Sequence, residues 1–504
     1  MKLNVRFACM VNILIALSCL IVIFNLNLLF VSKTAKPSRN TPLQFGTLYH
    51  AQSDFKTSKE KTLVLNERPF RKRTKSEINN AINVTTFSIA HITKKNKLKP
   101  NINANESESA ERLHTLEPAI QGYLREASHQ CDSQFIGYGH SFAVLRNVVV
   151  NPRFGQGKRG GENISDVFGQ SESAEYYTLK KGYFVLKCNY SVNYAFHPKS
   201  HLNEWIRALD VDNRTREVNA VTSNGMFAIA VKRFEYANLY HTATDFYNAF
   251  LMTKLLNLNP KNVTIFFLDG HPFGALDGTW ATLFSGILRA GDIKYEQVFP
   301  KMIWSIIGYN SMLNDHQRQS VPRLDEFRLF FLDRHGVQTT KRLDCSNLTL
   351  MFLWRRDYLA HPRNPSGLVS RKIANEDELT EAVKAILPGH KVHGVQLDLL
   401  RMKEQLQLVA NTDILIGMHG AGLTHALFLP NHAGLVELYP SYWSTANIHF
   451  QTMARWRRLT YFQWQNFDFA NERPKRCTYI PKDVVISLVN KTLTKMCGQL
   501  HSLS

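Results

Sequence analysis

From residue 348 the chain alternates short apolar runs with helical patterns: LTLMFLWRR, NEDELTEAVKAIL, KVHGVQL, MKEQLQLVANT, DILIGMHG, a helix after the glycines, and GLVELYP. Apolar runs of this length suit strands buried on both faces, and strands separated by helices run parallel. The repeated unit therefore constrains this part of the chain to a doubly wound α/β domain. An earlier series contains YFVLKC (183–188), FAIAVKRF (227–234), a helical pattern over 238–256 and the buried-strand run VTIFFLDG (263–270). In that helix Leu239, Phe246, Phe250 and Leu251 recur at helical spacing. Two Rossmann-like domains facing one another across a cleft are expected, over 126–345 and 346–470, with a C-terminal tail over 471–504.

The N-terminus reads differently. Phe7 to Val31 is a run of 25 residues without Asp, Glu, Lys or Arg, long enough to cross a hydrocarbon layer of roughly 30 Å as a helix. A cleaved signal peptide would have a shorter apolar region ending in small residues. Residues 1–6 are thus expected as a cytosolic tail, 7–31 as a transmembrane signal anchor, and the polar stretch 32–125 as a flexible stem. Basic residues flank the anchor on both sides and do not orient it. Eight Asn-X-Ser/Thr sequons follow it, at Asn83, Asn105, Asn163, Asn189, Asn213, Asn262, Asn347 and Asn490. Their number favours a lumenal body, the type II arrangement. Arg71-Lys72-Arg73 in the stem is a candidate site for release by a lumenal protease.

Five cysteines lie beyond the anchor: Cys131, Cys188, Cys345, Cys477 and Cys497. Cys131 with Cys188 and Cys477 with Cys497 are the expected pairs, although spacing does not fix connectivity, and the odd count leaves one thiol over. The net charge of +20 would suit nucleic acid, but a lumenal body argues against that partner. A phosphate-bearing small substrate accounts equally well for basic residues in the folded part.

Candidate chemistry gathers at three places. In GMHGAGLTHALFLP (417–430), Gly417, Gly420 and Gly422 lie at the carboxyl end of a predicted strand, where backbone N–H groups and a helix start can approach a diphosphate. The spacing is not that of the dinucleotide fingerprint. His419 and His425 flank this turn, and Glu437 ends the following strand, where it could accept ribose hydroxyls. Arg355 and Arg356 end an earlier strand, with Arg363, Arg371 and Lys372 following; these suit a diphosphate leaving group. In the first series His241 and Asp245 are four residues apart, on one face of the predicted helix, where they could activate a hydroxyl. Asp210-Val211-Asp212 has the form of a metal-binding DxD but stands beside a sequon without other support.

RFEYANLYHTATDFYNAF, DGTWATLFSGI, WRRDYLAHPR, SRKIANEDEL and GMHGAGLTHALFLPN together resemble the family of core β-1,2-xylosyltransferases of N-glycan synthesis, which also includes EGF-domain-specific O-GlcNAc transferases. The resemblance covers most of residues 126–470. It implies a GT-B architecture in a type II Golgi membrane protein, with 126–345 as acceptor domain and 346–470 as donor domain. It implies inverting transfer of xylose from UDP-xylose to the core β-mannose of an N-glycan, with no cofactor and no metal. Asp245 would be the base with His241 beside it, while Arg355, Arg371, Lys372, His419, Gly420, Gly422 and His425 would line the donor site and Glu437 would meet ribose. Transfer of N-acetylglucosamine to protein-linked acceptors and a catalytically silent lumenal lectin are the competing readings.

Overall fold

The computed structural model of the chain describes residues 118–498 except 214–220 and 223–226. The anchor over 7–31, nearly all of the stem, and the sequons at Asn83 and Asn105 lie outside the described residues. Among the described residues no helix is long and apolar enough to cross a membrane. The other six sequon asparagines are all exposed, as an acceptor for a bulky glycan must be.

The first half is built on a ten-stranded mixed sheet. Four strands form its spine: β1 (Phe142–Val150), β2 (Phe227–Val231), β3 (Val263–Phe267) and β4 (Gln297–Trp304). β4, β2, β3 and the strand Gly286–Arg289 are mutually parallel, in that spatial order. Counted along the chain this is order 3-2-1-4 read from Gly286–Arg289, the start of a doubly wound sheet. β1 runs antiparallel to β4 and carries the short strands 127–130 and 135–138 beyond it. This antiparallel flank was not expected from the strand and helix alternation. Every residue of β3 is buried, which its unbroken apolar run requires.

Helix α1 (Leu239–Leu255) starts at Asn238, whose side chain accepts from the Tyr240 N–H at 3.0 Å. Nearly all of the helix is buried, because it lies between the first sheet and elements of the second half. Helix α2 (Leu324–Arg334) follows.

The second half carries a five-stranded parallel sheet: β5 (Thr349–Leu353), β6 (Lys391–Val395), β7 (Ile414–Met418), β8 (Gly434–Tyr439) and β9 (Thr460–Gln465). The spatial order is β6-β5-β7-β8-β9, the 2-1-3-4-5 order of a doubly wound fold. Helices α3 (Glu376–Ile386), α4 (Met402–Val409) and α5 (His449–Trp456) make crossovers. Four of the five strands, β5 to β8, and the first two of these helices were legible in the sequence pattern; β9 was not. The segment Ala421–Phe428 after β7 is a 3-10 helix instead of an α-helix. A last helix, α6 (Lys482–Cys497), lays Val485, Leu488, Val489 and Leu493 into the same core as Leu379 and Val383 of α3.

One continuous apolar core runs between the halves. It joins Phe246 and Phe250 of α1, Phe327 and Phe331 of α2, Leu415 of β7 and Leu427 and Phe428 of the 3-10 segment. Phe331 stacks on Phe428 at 4.5 Å between ring centroids. The two sheets are therefore bound together by packed aromatic side chains.

Cys131 pairs with Cys188, as the sequence suggested, but Cys345 pairs with Cys497 and Cys477 is the free thiol. The expected Cys477–Cys497 pair is thereby corrected: α6 carries Cys497 away from the short strand holding Cys477 and back to the entrance of the second half.

Candidate active site

In a doubly wound sheet a crevice opens at the carboxyl ends of two neighbouring strands whose chains continue to opposite sides. β5 and β7 are such a pair, since β5 leads to β6 on one side and β7 to β8 on the other. Arg355 follows β5 and Gly420 follows β7. A Cβ on Gly420 would stand 2.2 Å from Arg355 Nη1, and one on Gly422 would stand 2.8 Å from Leu353 Cδ2. At both positions an added methyl would displace the end of a neighbouring side chain, Arg355 or Leu353, from where it now packs.

Arg355 donates through Nε to the Ser370 carbonyl at 3.2 Å. Arg371 has a left-handed backbone, φ 61°, its N–H reaches the Tyr442 hydroxyl at 3.1 Å, and its guanidinium sits 4.0 Å over the Trp443 ring. Among the described residues neither guanidinium has a carboxylate at ion-pair distance. Burial pulls Arg371 down to about 10, aided by the nearby charge of Arg355. Arg355 is also lowered by burial, against the opposing effect of Tyr358, Asp398 and Tyr442. Two half-buried cations that repel one another form a place for an anion with two charges. Lys372 is not in this position, because its Nζ is engaged by Asp357 at 2.7 Å. Arg356 is likewise paired, with Glu376.

His419 follows β7 and holds its Nδ1 2.6 Å from Glu437 Oε1. Tyr461 donates to the other oxygen, Oε2, at 2.7 Å. Glu437 is fully buried, so both its oxygens are committed behind His419 and neither faces a ribose. A carboxylate at Nδ1 takes the proton there and leaves Nε2 as the outward nitrogen. Burial lowers the His419 pKa, while the Glu437 contact opposes the shift. His425 turns back on the 3-10 segment, with Nδ1 2.7 Å from the Gly422 carbonyl. Burial lowers it to about 4, so it is neutral near pH 7.

The first sheet offers a second switch point, between β2 and β4. Helix α1 begins there. Asn248 of α1 donates to the Ile306 carbonyl just past β4, at 3.2 Å. Asp245 is 4% exposed, and a Cβ on Gly308 would stand 2.9 Å from its Oδ1. Burial raises the Asp245 pKa well above the carboxylate range, with Arg233 pulling down and Asp269 pushing up. His241, one turn nearer the helix start, is half-buried and lowered by burial, with Glu235 opposing. Burial disfavours the charged form of both groups, so the His241 imidazole is neutral and able to accept a proton near pH 7, while the Asp245 carboxyl holds its proton above the ordinary carboxylate range.

Residues that the sequence pattern did not single out tie the two places together. Tyr240 and His449 lie 4.6 Å apart by ring centroids, and His449 lies 6.0 Å from His419. His316 Nε2 is 2.9 Å from the Tyr240 hydroxyl and 3.1 Å from His449 Nδ1. Burial lowers His449 to about 3, assisted by His316, His419 and His241. His241 and His419 are thus brought to one locality from opposite halves. No local spacing could reveal this, since His316 and His449 are 133 residues apart.

Behind this face Arg233 binds Asp269 through Nε and Nη2 at 3.0 and 2.7 Å, and Asp277 through Nη1 at 2.7 Å. Arg289 also pairs with Asp277. All four are buried. The FAIAVKRF and VTIFFLDG runs end in this Arg233 and Asp269, so strand ends with charges were the available signal. The DxD acids lie elsewhere: Asp210 is on the edge strand Leu209–Val211, 3.5 Å from Lys181.

The comparisons with known proteins can be set on this geometry. Residues 232–436 match the family model described as Glycosyltransferase 61, a span that includes both switch points from Arg233 to the end of Val436. The chain is similar to the β-1,2-xylosyltransferase RCN11 of Oryza sativa subsp. japonica, at 32% identity over 264 residues, covering 46% of this chain and 48% of that protein. The match therefore spans about half of the rice protein's length. It is similar to the β-1,2-xylosyltransferase of Arabidopsis thaliana at 27% identity over 411 residues, 67% of this chain and 75% of that protein. It is similar also to the EGF domain-specific O-linked N-acetylglucosamine transferase of Drosophila melanogaster, at 28% identity over 248 residues, 46% of this chain and 44% of that protein. Through this shared region, residues 232–436, the chain is similar to members of the glycosyltransferase 61 family.

Proposed function

We propose that the chain is an inverting glycosyltransferase of GT-B architecture that transfers xylose from UDP-xylose, in β-1,2 linkage, to the core β-mannose of N-glycans. The observation that carries the reading is the pair Arg355 and Arg371, two guanidinium groups held at a switch point without carboxylate partners. The diphosphate of a nucleotide sugar supplies the missing charge. The likeness to the two plant β-1,2-xylosyltransferases favours xylose as the transferred sugar and a β-1,2 linkage.

In this mechanism the mannose 2-hydroxyl oxygen forms a bond to C1 of xylose on the face opposite UDP. The bond from C1 to the diphosphate oxygen breaks, and UDP leaves with the electron pair. Arg355 and Arg371 neutralise the charge that develops there, so no divalent cation or cofactor is needed. The hydroxyl proton passes to the half-buried imidazole of His241, which burial keeps neutral, with the buried Asp245 carboxyl one turn further along α1. His419, held in one tautomer by Glu437, lines the donor side with Gly420, Gly422 and His425. On this reading the protein is a single-pass type II protein of the Golgi membrane, and the exposed sequons support a lumenal catalytic part.

The test is transfer by the purified full-length chain in detergent, with a panel of UDP-sugars, an N-glycan bearing terminal GlcNAc, and EDTA throughout. A gain of one pentose with UDP-xylose alone is expected. Transfer from UDP-GlcNAc instead would move the chain to the activity named for the Drosophila relative. No turnover in EDTA, restored by a divalent cation, would overturn the metal-free mechanism.

A further inference from the structure

Two aromatic side chains stand in water at the carboxyl edge of the first sheet. Phe234, in the loop after β2, is 62% exposed, and Tyr309, in the loop after β4, is 40% exposed. Their rings meet edge to face with centroids 4.5 Å apart, and the Tyr309 ring lies 6.0 Å from His241. β2 and β4 flank the switch point of this sheet, so both loops stand where ligands bind in such folds.

The supports under the two rings are rigid. Arg233, before Phe234, is fixed by Asp269 and Asp277. Glu235, after it, accepts from the backbone N–H groups of Tyr236 and Ala237 at 3.0 and 3.2 Å. Glu235 also reaches His361 at 3.2 Å and Arg363 at 3.5 Å in the second half. Gly308, before Tyr309, packs so closely on Thr244 and Asp245 that a Cβ there would stand 2.9 Å from a side-chain oxygen of each. Exposure of these rings thus comes from a fixed backbone. It keeps apolar surface in water, which folding alone disfavours.

A ligand that covers such a pair presents an apolar face bearing C–H groups. A pyranose ring has one, with its hydroxyls directed to the rim. The diphosphate has none, and its cations are Arg355 and Arg371. The nucleobase is the other flat candidate, but the aromatic surface beside Arg371 is Trp443 and Tyr442, in the half that carries the β5 and β7 switch point. We propose that Phe234 and Tyr309 form a stacking subsite for a pyranose ring of the acceptor saccharide, beside the ring whose hydroxyl reacts near His241. This rests on the reading of the chain as a transferase to a saccharide.

The test uses the full-length chain with Phe234→Ala, Tyr309→Ala and the double substitution, alongside the conservative Phe234→Tyr and Tyr309→Phe. The expected result is an acceptor KM raised about tenfold in each alanine variant, restored in the conservative variants, with UDP Kd within about twofold of wild type. Saturation-transfer NMR with a core N-glycan oligosaccharide gives a readout independent of donor and turnover. Its signal should fall in the alanine variants while their melting temperatures hold. If the enzyme uses a donor other than UDP-xylose, the subsite still stands on that signal. Undiminished oligosaccharide binding in the double variant, absence of binding by the wild type, or a UDP Kd that rises with the acceptor KM would each overturn it.

Discussion

Arg371 has given up much of its water without gaining a carboxylate, so its charge is best stabilised when an anion arrives. Charge-assisted hydrogen bonds contribute about 1.5–3 kcal/mol each, and Arg371→Gln should raise the UDP Kd by roughly ten- to a hundredfold. Isothermal titration would read this, and an unchanged Kd would remove Arg371 from the anion site. Asp245 makes the opposite kind of case. Its folded pKa is raised well above the ordinary carboxylate value by burial, so the folded state binds this proton more tightly than the unfolded chain does. Asp245 therefore costs stability as pH rises above the ordinary carboxylate range, and the cost grows until its own elevated pKa is passed. Asp245→Asn should abolish transfer, leave UDP affinity intact, and unfold at the same or a higher temperature than wild type at neutral pH. A lowered melting temperature with lost UDP binding would make Asp245 a structural residue. At this scale the sequence pointed to His241 and Asp245 because they share a helix face, to Arg355 because it ends a strand, and to Arg371 because it follows in the basic loop beyond. Tyr240, His316 and His449 escaped notice because their meeting depends on contacts across more than a hundred residues of chain.

At the scale of elements, most of the second sheet was readable because β5 to β8 are apolar runs and the crossovers α3 and α4 have their own helical period, whereas β9, TYFQWQ, alternates polar residues at a half-buried edge. The 3-10 form of Ala421–Phe428 was not readable. Its residues are helix formers, and only the tight path from β7 to β8, with Leu423 N–H bonded to the Gly420 carbonyl at 2.8 Å, decides the winding. The antiparallel pairing of β1 with β4 was equally hidden, since its register joins residues as distant in the chain as Ala143 and Trp304. The strand and turn around Gly420 give a sharp test. Gly420→Ala would put its Cβ against the flexible end of Arg355, so the fold should survive while the guanidinium is displaced. A drop in UDP affinity of about tenfold or more is expected with little change in melting temperature. The strand ends of the first sheet should behave otherwise. Arg233→Ala strands Asp269 in the interior, and breaking a buried pair in this way costs about 3–5 kcal/mol. Denaturant unfolding should show that loss, and a change below about 1 kcal/mol would argue that water reaches the site.

For the whole molecule, the shared core joining α1, α2 and the 3-10 segment predicts that residues 118–498 unfold together. Calorimetry should give one cooperative transition, and Phe428→Ala should lower it by an amount matching about 3–5 kcal/mol. Two separated transitions would mean that the halves are held apart from one another energetically. The Cys345–Cys497 bond adds a topological property. It joins positions 152 residues apart, from the entrance of the second half to the end of its last helix. The segment carrying the anion site is thus a covalent ring hung from the rest of the polypeptide at Cys345. A protease that severs one peptide bond anywhere within that ring opens it without detaching anything. Such a nick would go unseen on a gel until a reductant is added, when two pieces would part.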